Sequence, residues 1–245
     1  MVKKLAIALV TMGMLGSAFA QSDNFESGTF PNTGTGWSDA WTNNLGQQFL
    51  EGGANRIDGA ASMGIFGNSF SSRHFTSPLT FTGVTISWSM KSPVDLSANS
   101  GSSFGFQILG PGDAVVITFK FQNGFGGLVM NDGATDFEPA GTLTYSAGAV
   151  YDFSISFNPG NNNFYSFSAT QRGGGMTTGS NFTFSGASAN PASANGVRFF
   201  ANMPSGSGND AILDNVQVIP EPSTYALLAG PTLLGALMYV RRRRA

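Results

Sequence analysis

The chain has 245 residues, of which 11% are charged, with 33 Gly, 22 Phe and no Cys; an ordinary soluble domain carries about 25% charge. Disulfides, zinc–thiolate centres and thiol nucleophiles are thereby excluded, and a helical bundle or coiled coil fits poorly. Between residues 21 and 219 there are thirteen acids and six bases, a formal −7 hidden behind the net −2 of the whole chain, which gives nucleic acid no electrostatic footprint.

In chain order, the first element is a targeting segment. Lys3 and Lys4 precede an apolar run from Leu5 to Gly16, and Ala18 and Ala20 supply small residues just before Gln21. A positive end, an apolar stretch and an A-x-A site predict a signal peptide over residues 1–20, removed by the Sec export machinery so that the mature chain starts at Gln21.

Residues 21–219 then alternate with a period of two. Val84, Ile86, Trp88 and Met90 share one face of a strand, and Phe104, Phe106 and Ile108 one face of the next. Val115, Ile117, Phe119 and Phe121 form a third strand. Tyr151, Phe153, Ile155 and Phe157 run into an Asn-Pro-Gly-Asn-Asn turn, with Tyr165, Phe167 and Ala169 returning. Further strands hold Phe182 and Phe184, Val197 and Phe199, and Ile212, Val216 and Val218, with weaker ones near Phe25, Phe49, Ile57, Phe66, Phe75 and Val129. About twelve strands with turn signals at 8–12-residue intervals predict an all-β fold, a single antiparallel jelly-roll β-sandwich.

Catalytic constellations are sparse. His74 is the only histidine and no G-x-S-x-G elbow exists, so a strand-edge histidine is the expected reading. The body holds three glutamates; a glycosidase would have to recruit an Asp pair. This leaves a non-catalytic binding or matrix module as the first reading and a secreted glycoside hydrolase as the alternative. Asn131, Asp132, Asp136 and Glu138 cluster in one loop, where a solvated acidic loop is favoured over calcium ligation. Trp41 is nominated as a ligand contact from its Gly/Asn/Ser-rich setting, although core packing is its commoner fate. The opening Asp23-Asn24-Phe25-Glu26 and closing Ile212-Leu213-Asp214-Asn215-Val216 resemble the terminal strands of laminin-G/concanavalin-like and carbohydrate-binding-module jelly rolls. That resemblance implies sugar binding, and a structural calcium where the terminal strands meet, with Asp23, Glu26 and Asp214 as its nominated ligands.

The last element is a tail, residues 220–245. Pro220, Glu221, Pro222, Ser223 and Thr224 precede sixteen uncharged residues, Tyr225 to Val240, and then Arg241, Arg242, Arg243 and Arg244. The apolar run predicts a single transmembrane helix of about 24–27 Å, with the arginines retained on the cytoplasmic side. Motif, apolar run and Arg cluster together closely resemble the PEP-CTERM protein-sorting domain. The resemblance implies an exosortase-like membrane protease as partner, a Gram-negative host and exopolysaccharide as the surroundings. It further implies transient inner-membrane anchoring followed by release to the cell surface or extracellular matrix.

Overall fold

The computed structural model describes residues 21–26, 34–81, 83–98, 100–133, 135–139, 143–158, 164–184, 193–203 and 210–220. All of them except Pro220 belong to a compact unit spanning Ala20–Ile219. Among the described residues fourteen strands form two antiparallel sheets. The eight-stranded sheet contains β1 (Gln21–Asp23), β3 (Gln48–Glu51), β4 (Ser62–Phe66), β6 (Val84–Lys91), β10 (Tyr151–Phe157), β11 (Phe164–Gln171), β12 (Met176–Thr183) and β14 (Asp210–Pro220). Its order is β12-β11-β10-β6-β14-β4-β3, with β1 also on β14. The six-stranded sheet contains β2 (Thr42–Asn43), β5 (Asn68–Leu79), β7 (Ser103–Leu109), β8 (Val115–Gln122), β9 (Leu128–Asn131) and β13 (Ala194–Asn202), in the order β2-β5-β13-β7-β8-β9.

The period-two pattern is what drives the sheets together. In β10, Tyr151, Phe153, Ile155 and Phe157 are buried while Asp152, Ser154 and Ser156 face outward. The inner faces meet at Trp88, whose ring stacks on Phe106 of the opposite sheet at 4.3 Å and on Phe153 of its own sheet at 5.2 Å. A dense aromatic core of this kind compensates for scarce aliphatics, since each buried ring contributes roughly 1.5–3 kcal/mol. Among the expected strands, those at Phe49, Phe66, Phe75 and Val129 form. Those at Phe25 and Ile57 do not. Phe25 adopts a left-handed backbone with φ 55°, outside the extended region that strands favour, and Ile57 lies in the loop between β3 and β4.

Charge burial departs from the alternation rule. Arg73 pairs in register with Val197 of β13, whose side chain is fully buried, so the guanidinium points into the sandwich. Arg73 Nη1 meets Asp23 Oδ2 at 2.6 Å, the two side chains being 3% and 0% exposed. Asp23 also accepts the Trp41 indole N–H at 2.8 Å and the Phe25 N–H at 3.0 Å. The first strand is thereby joined to the six-stranded sheet through the core.

The membrane expectation needs correction. Among the described residues no helix is long and apolar enough to cross a membrane; the helical elements are two three-residue 3-10 turns, Leu96–Ala98 and Pro111–Asp113. The transmembrane helix, the membrane-retention role given to Arg241, Arg242, Arg243 and Arg244, and the localisation by inner-membrane anchoring and surface release therefore find no supporting element in the structure. The tail on which they were based, from residue 221 onward, and the signal residues Ala18 and Ala20 lie outside the described residues.

Candidate functional site

Strand register places side chains from all six strands of the smaller sheet in rows across its outer face. One row runs Thr42–Ser72–Arg198–Gln107–Thr118–Asn131, each residue directly paired with the next. Every member is polar. At about 4.8 Å between strands the row is about 24 Å long. The adjoining row runs Phe70–Phe200–Gly105–Lys120–Val129. These side chains face away from the core because their neighbours in each strand, such as Val197, Phe199, Phe106 and Phe119, face into it.

Within this face, the Arg198 guanidinium lies over the Phe70 ring at 4.4 Å, a cation–π contact that holds its planar group flat against the sheet. Arg198 Nε has no hydrogen-bond partner. Burial pushes the Arg198 pKa down, and the charge of nearby Asp113 partly offsets this. Gln107 Nε2 donates to Thr118 Oγ1 at 3.2 Å. Lys120 is neutralised by Asp136 at 2.6 Å, which also accepts from Asn131 at 3.0 Å.

One end of the face is closed by His74. Its Nδ1 is 2.5 Å from Asp39 Oδ2 and its Nε2 is 2.9 Å from Asp113 Oδ1, with the His74 N–H also donating to Asp39 Oδ1 at 2.8 Å. Burial opposes protonation of this imidazole, but the hydrogen bonds to Asp39 and Asp113 outweigh it and raise the pKa. Gly196, paired with His74, is required here: a Cβ would meet the Arg73 carbonyl oxygen at 2.5 Å and His74 Cδ2 at 3.1 Å. The imidazole thus lies against bare backbone and reaches the turn that carries Asp113.

A second polar cluster lies on the outer face of the eight-stranded sheet. Arg172 binds Asp58 through Nη1 and Nη2, both at 2.8 Å, and Asp152 through Nε at 2.7 Å. These hydrogen bonds raise the Arg172 pKa, and that from Arg172 lowers the Asp58 pKa. Beneath them Asp214 is completely buried, accepting from the Ser62 hydroxyl at 2.8 Å, Asp58 N–H at 3.2 Å and Asn215 N–H at 2.7 Å. Burial pushes its pKa up to about 6. Lys91 donates to the Arg56 carbonyl at 3.0 Å. Together these contacts fasten the 52–61 loop over the terminal strand, which is a structural task.

The nominated residues are thus placed as follows. Trp41 is 1% exposed and packs against Phe25 and Trp37, so its ring presents no face to a ligand. Asp23, Glu26 and Asp214 are not brought together. Asp23 pairs with Arg73, Asp214 serves the loop cluster, and Glu26 accepts from the Ala60 and Ala61 N–H groups at 2.7 and 3.2 Å. Among the described residues no group of three or more His, Asp or Glu side chains could hold a metal ion. The loop acids separate too: Asp132 accepts from the Tyr165 hydroxyl at 2.9 Å and Glu138 from the Gly126 N–H at 3.1 Å. Gln21 pairs with Val218, and Pro220 ends β14. Arg198, Gln107 and Phe70 were not singled out in sequence; the available signal was their outward phase in strands whose alternate residues are large and apolar.

No family model and no curated protein matches the chain. Among solved structures, the T. cruzi calreticulin globular domain is similar with a TM-score of 0.55 at 12% identity, covering 87% of this chain and 92% of that chain. The PL-14 alginate lyase from Aplysia kurodai is similar with a TM-score of 0.51 at 8% identity, over 84% and 99% of the two chains. The lectin UEA-II complexed with galactose is similar with a TM-score of 0.50 at 9% identity, over 84% and 100%. At such identities the likeness is one of fold: this chain is a β-sandwich resembling lectin-type jelly rolls.

Proposed function

We propose that the protein is a carbohydrate-binding module whose site is the outer face of the six-stranded sheet. The observation that carries this reading is the unbroken polar row Thr42–Ser72–Arg198–Gln107–Thr118–Asn131 beside the Phe70–Phe200 pair. Sugars present hydroxyls around an apolar ring face, and a receptor for them needs fixed polar partners next to aromatic surface. The row supplies the former from backbone-anchored strands, so little ordering is required on binding. The fold shared with the galactose-bound lectin supports the reading at the level of architecture. A glycan array probed with the full chain tests it. Specific retention is expected, weakened at least tenfold by Gln107→Ala; no retention of any glycan would overturn it.

A second reading concerns the tail, on the residues Pro220, Glu221, Pro222, Ser223 and Thr224. An exosortase-like protease is the proposed partner that processes the chain there. It is favoured by Ile219, 47% exposed just after the last ladder pairs of β14, so cleavage beyond it leaves the sandwich intact. Mass spectrometry of the protein recovered from its producing cells is expected to show C-termini near Pro220–Pro222. Chains ending only at Ala245 would refute processing.

A further inference from the structure

The described residues contain six cationic side chains apart from histidine, and five direct their charge at acceptors of the protein itself. Arg73 meets Asp23, Lys120 meets Asp136 and Arg172 meets Asp58 and Asp152. Arg56 donates to the carbonyls of Gly59, Gly52 and Gly53, and Lys91 to that of Arg56. Arg198 differs. It stacks on Phe70, its Nε is shielded without a hydrogen-bond partner, and among the described residues it forms no ion pair, Asp113 acting on it only at longer range.

A half-buried cation without a direct ion-pair partner is costly, because desolvation is only partly repaid by the more distant charge of Asp113. The one carboxylate whose charge reaches it, Asp113, is hydrogen-bonded to His74, which it shares with Asp39. Its neighbours in the row, Ser72 and Gln107, are neutral. The rigid guanidinium fork matches a carboxylate through two parallel hydrogen bonds and does not match a lone hydroxyl as well. Phe70 fixes the plane of that fork before any ligand arrives.

We propose that the ligand is an acidic glycan and that Arg198 binds the carboxylate of one of its uronic acid residues. The inference rests on the carbohydrate-binding reading of this face and specifies the class of sugar. Gln107, next along the row and oriented by the buried Thr118 hydroxyl, then contacts a hydroxyl of the neighbouring sugar.

The test is calorimetry of the full chain with an oligogalacturonate, with the same oligosaccharide after reduction of its carboxyls to alcohols, and with a sulfated neutral oligosaccharide. The uronate should bind at least tenfold tighter than its reduced form, and its affinity should fall with added salt. Arg198→Gln should abolish that preference, so that the uronate and its reduced form bind equally; Arg198→Lys should retain only part of it. Equal binding of the uronate and its reduced form would overturn the inference and leave the carbohydrate-binding reading standing. Binding of neither sugar, in a protein that binds nothing on the array, would overturn both. Tighter binding of the sulfated sugar would refute the choice of a carboxylate, and a preference surviving in Arg198→Gln would refute the role of Arg198. Thermal melts show whether each variant is folded, and an unfolded Arg198→Gln leaves Arg198→Lys to decide.

Discussion

Replacing Asp23 by Asn removes one charge and almost no volume, yet it should be among the most damaging surface-neutral changes available. The carboxylate lies 2.6 Å from the Arg73 guanidinium with both side chains essentially inaccessible to water. Breaking a buried pair by deleting one partner costs about 3–5 kcal/mol, since the remaining charge stays desolvated. Asp39 also attracts Arg73, and its backbone carbonyl accepts from Arg73 Nε at 2.7 Å, which places the expected loss near the lower bound, about 3 kcal/mol. An Asn also has one acceptor oxygen where the carboxylate has two, so the N–H groups of Trp41 and Phe25 can no longer both be served. For a unit of this size, 1 kcal/mol lowers the Tm by about 2–4 °C, giving a fall of about 6–12 °C. Adding Arg73→Met to Asp23→Asn should recover about half of the loss, because the charge goes and the aliphatic stem is kept. Urea and thermal melts of parent, single and double variants measure both quantities. A single variant within about 1 kcal/mol of the parent, or a double variant no better than the single, would refute the assignment of Arg73 as a buried charge dependent on Asp23.

Asp214, with its pKa raised from 3.8 to about 6, binds a proton more readily folded than unfolded, so its contribution to stability grows as pH falls from above 6 towards 4. The gap corresponds to about 3 kcal/mol at full effect. Melts of Asp214→Asn and parent from pH 4 to 8 should show the variant comparatively more stable at pH 8; a pH-independent difference would contradict this. His74 has the same sense at a higher pH: its raised pKa gives stability that is complete below pH 6.5 and lost as pH rises through the folded value. His74→Gln should therefore cost about 1 kcal/mol at pH 5, limited by the exposure of Asp39 and Asp113, and converge on the parent at pH 9 in the same assay. Trp88→Ala should cost about 3–5 kcal/mol in urea denaturation, because it empties the stack between Phe106 and Phe153.

Much of the sandwich was legible because strand alternation is local. Val84 to Met90 and Tyr151 to Phe157 announce their inner faces within seven residues, and both form as read. Arg73 shows where this breaks down. It shares parity with Phe75, so a period of two points it inward, whereas charge alone favours the surface; only the partner Asp23, fifty residues away, decides between them. The same partner explains why Asp23 takes no part in a metal site and why Trp41, its hydrogen-bond donor, is buried. Phe25 was misread as strand because its hydrophobicity says nothing of a backbone turned to φ 55°.

The candidate site was illegible for a related reason. Its row takes residues 42, 72, 107, 118, 131 and 198, and no two are close enough in sequence to make a motif. What unites them is register, and shifting any one strand by a single residue would exchange Gln107 or Arg198 for an apolar neighbour such as Ile108 or Phe199. Register here is held by the core: Phe106 opposite Phe199 and Phe119, and Ile108 opposite Val197 and Ile117. The aromatic interior therefore acts as more than a source of stability. By fixing which inward side chains meet, it fixes which outward ones line up, and a change inside the sandwich that loosened β7 against β13 would reach the outer polar row without touching any residue in it.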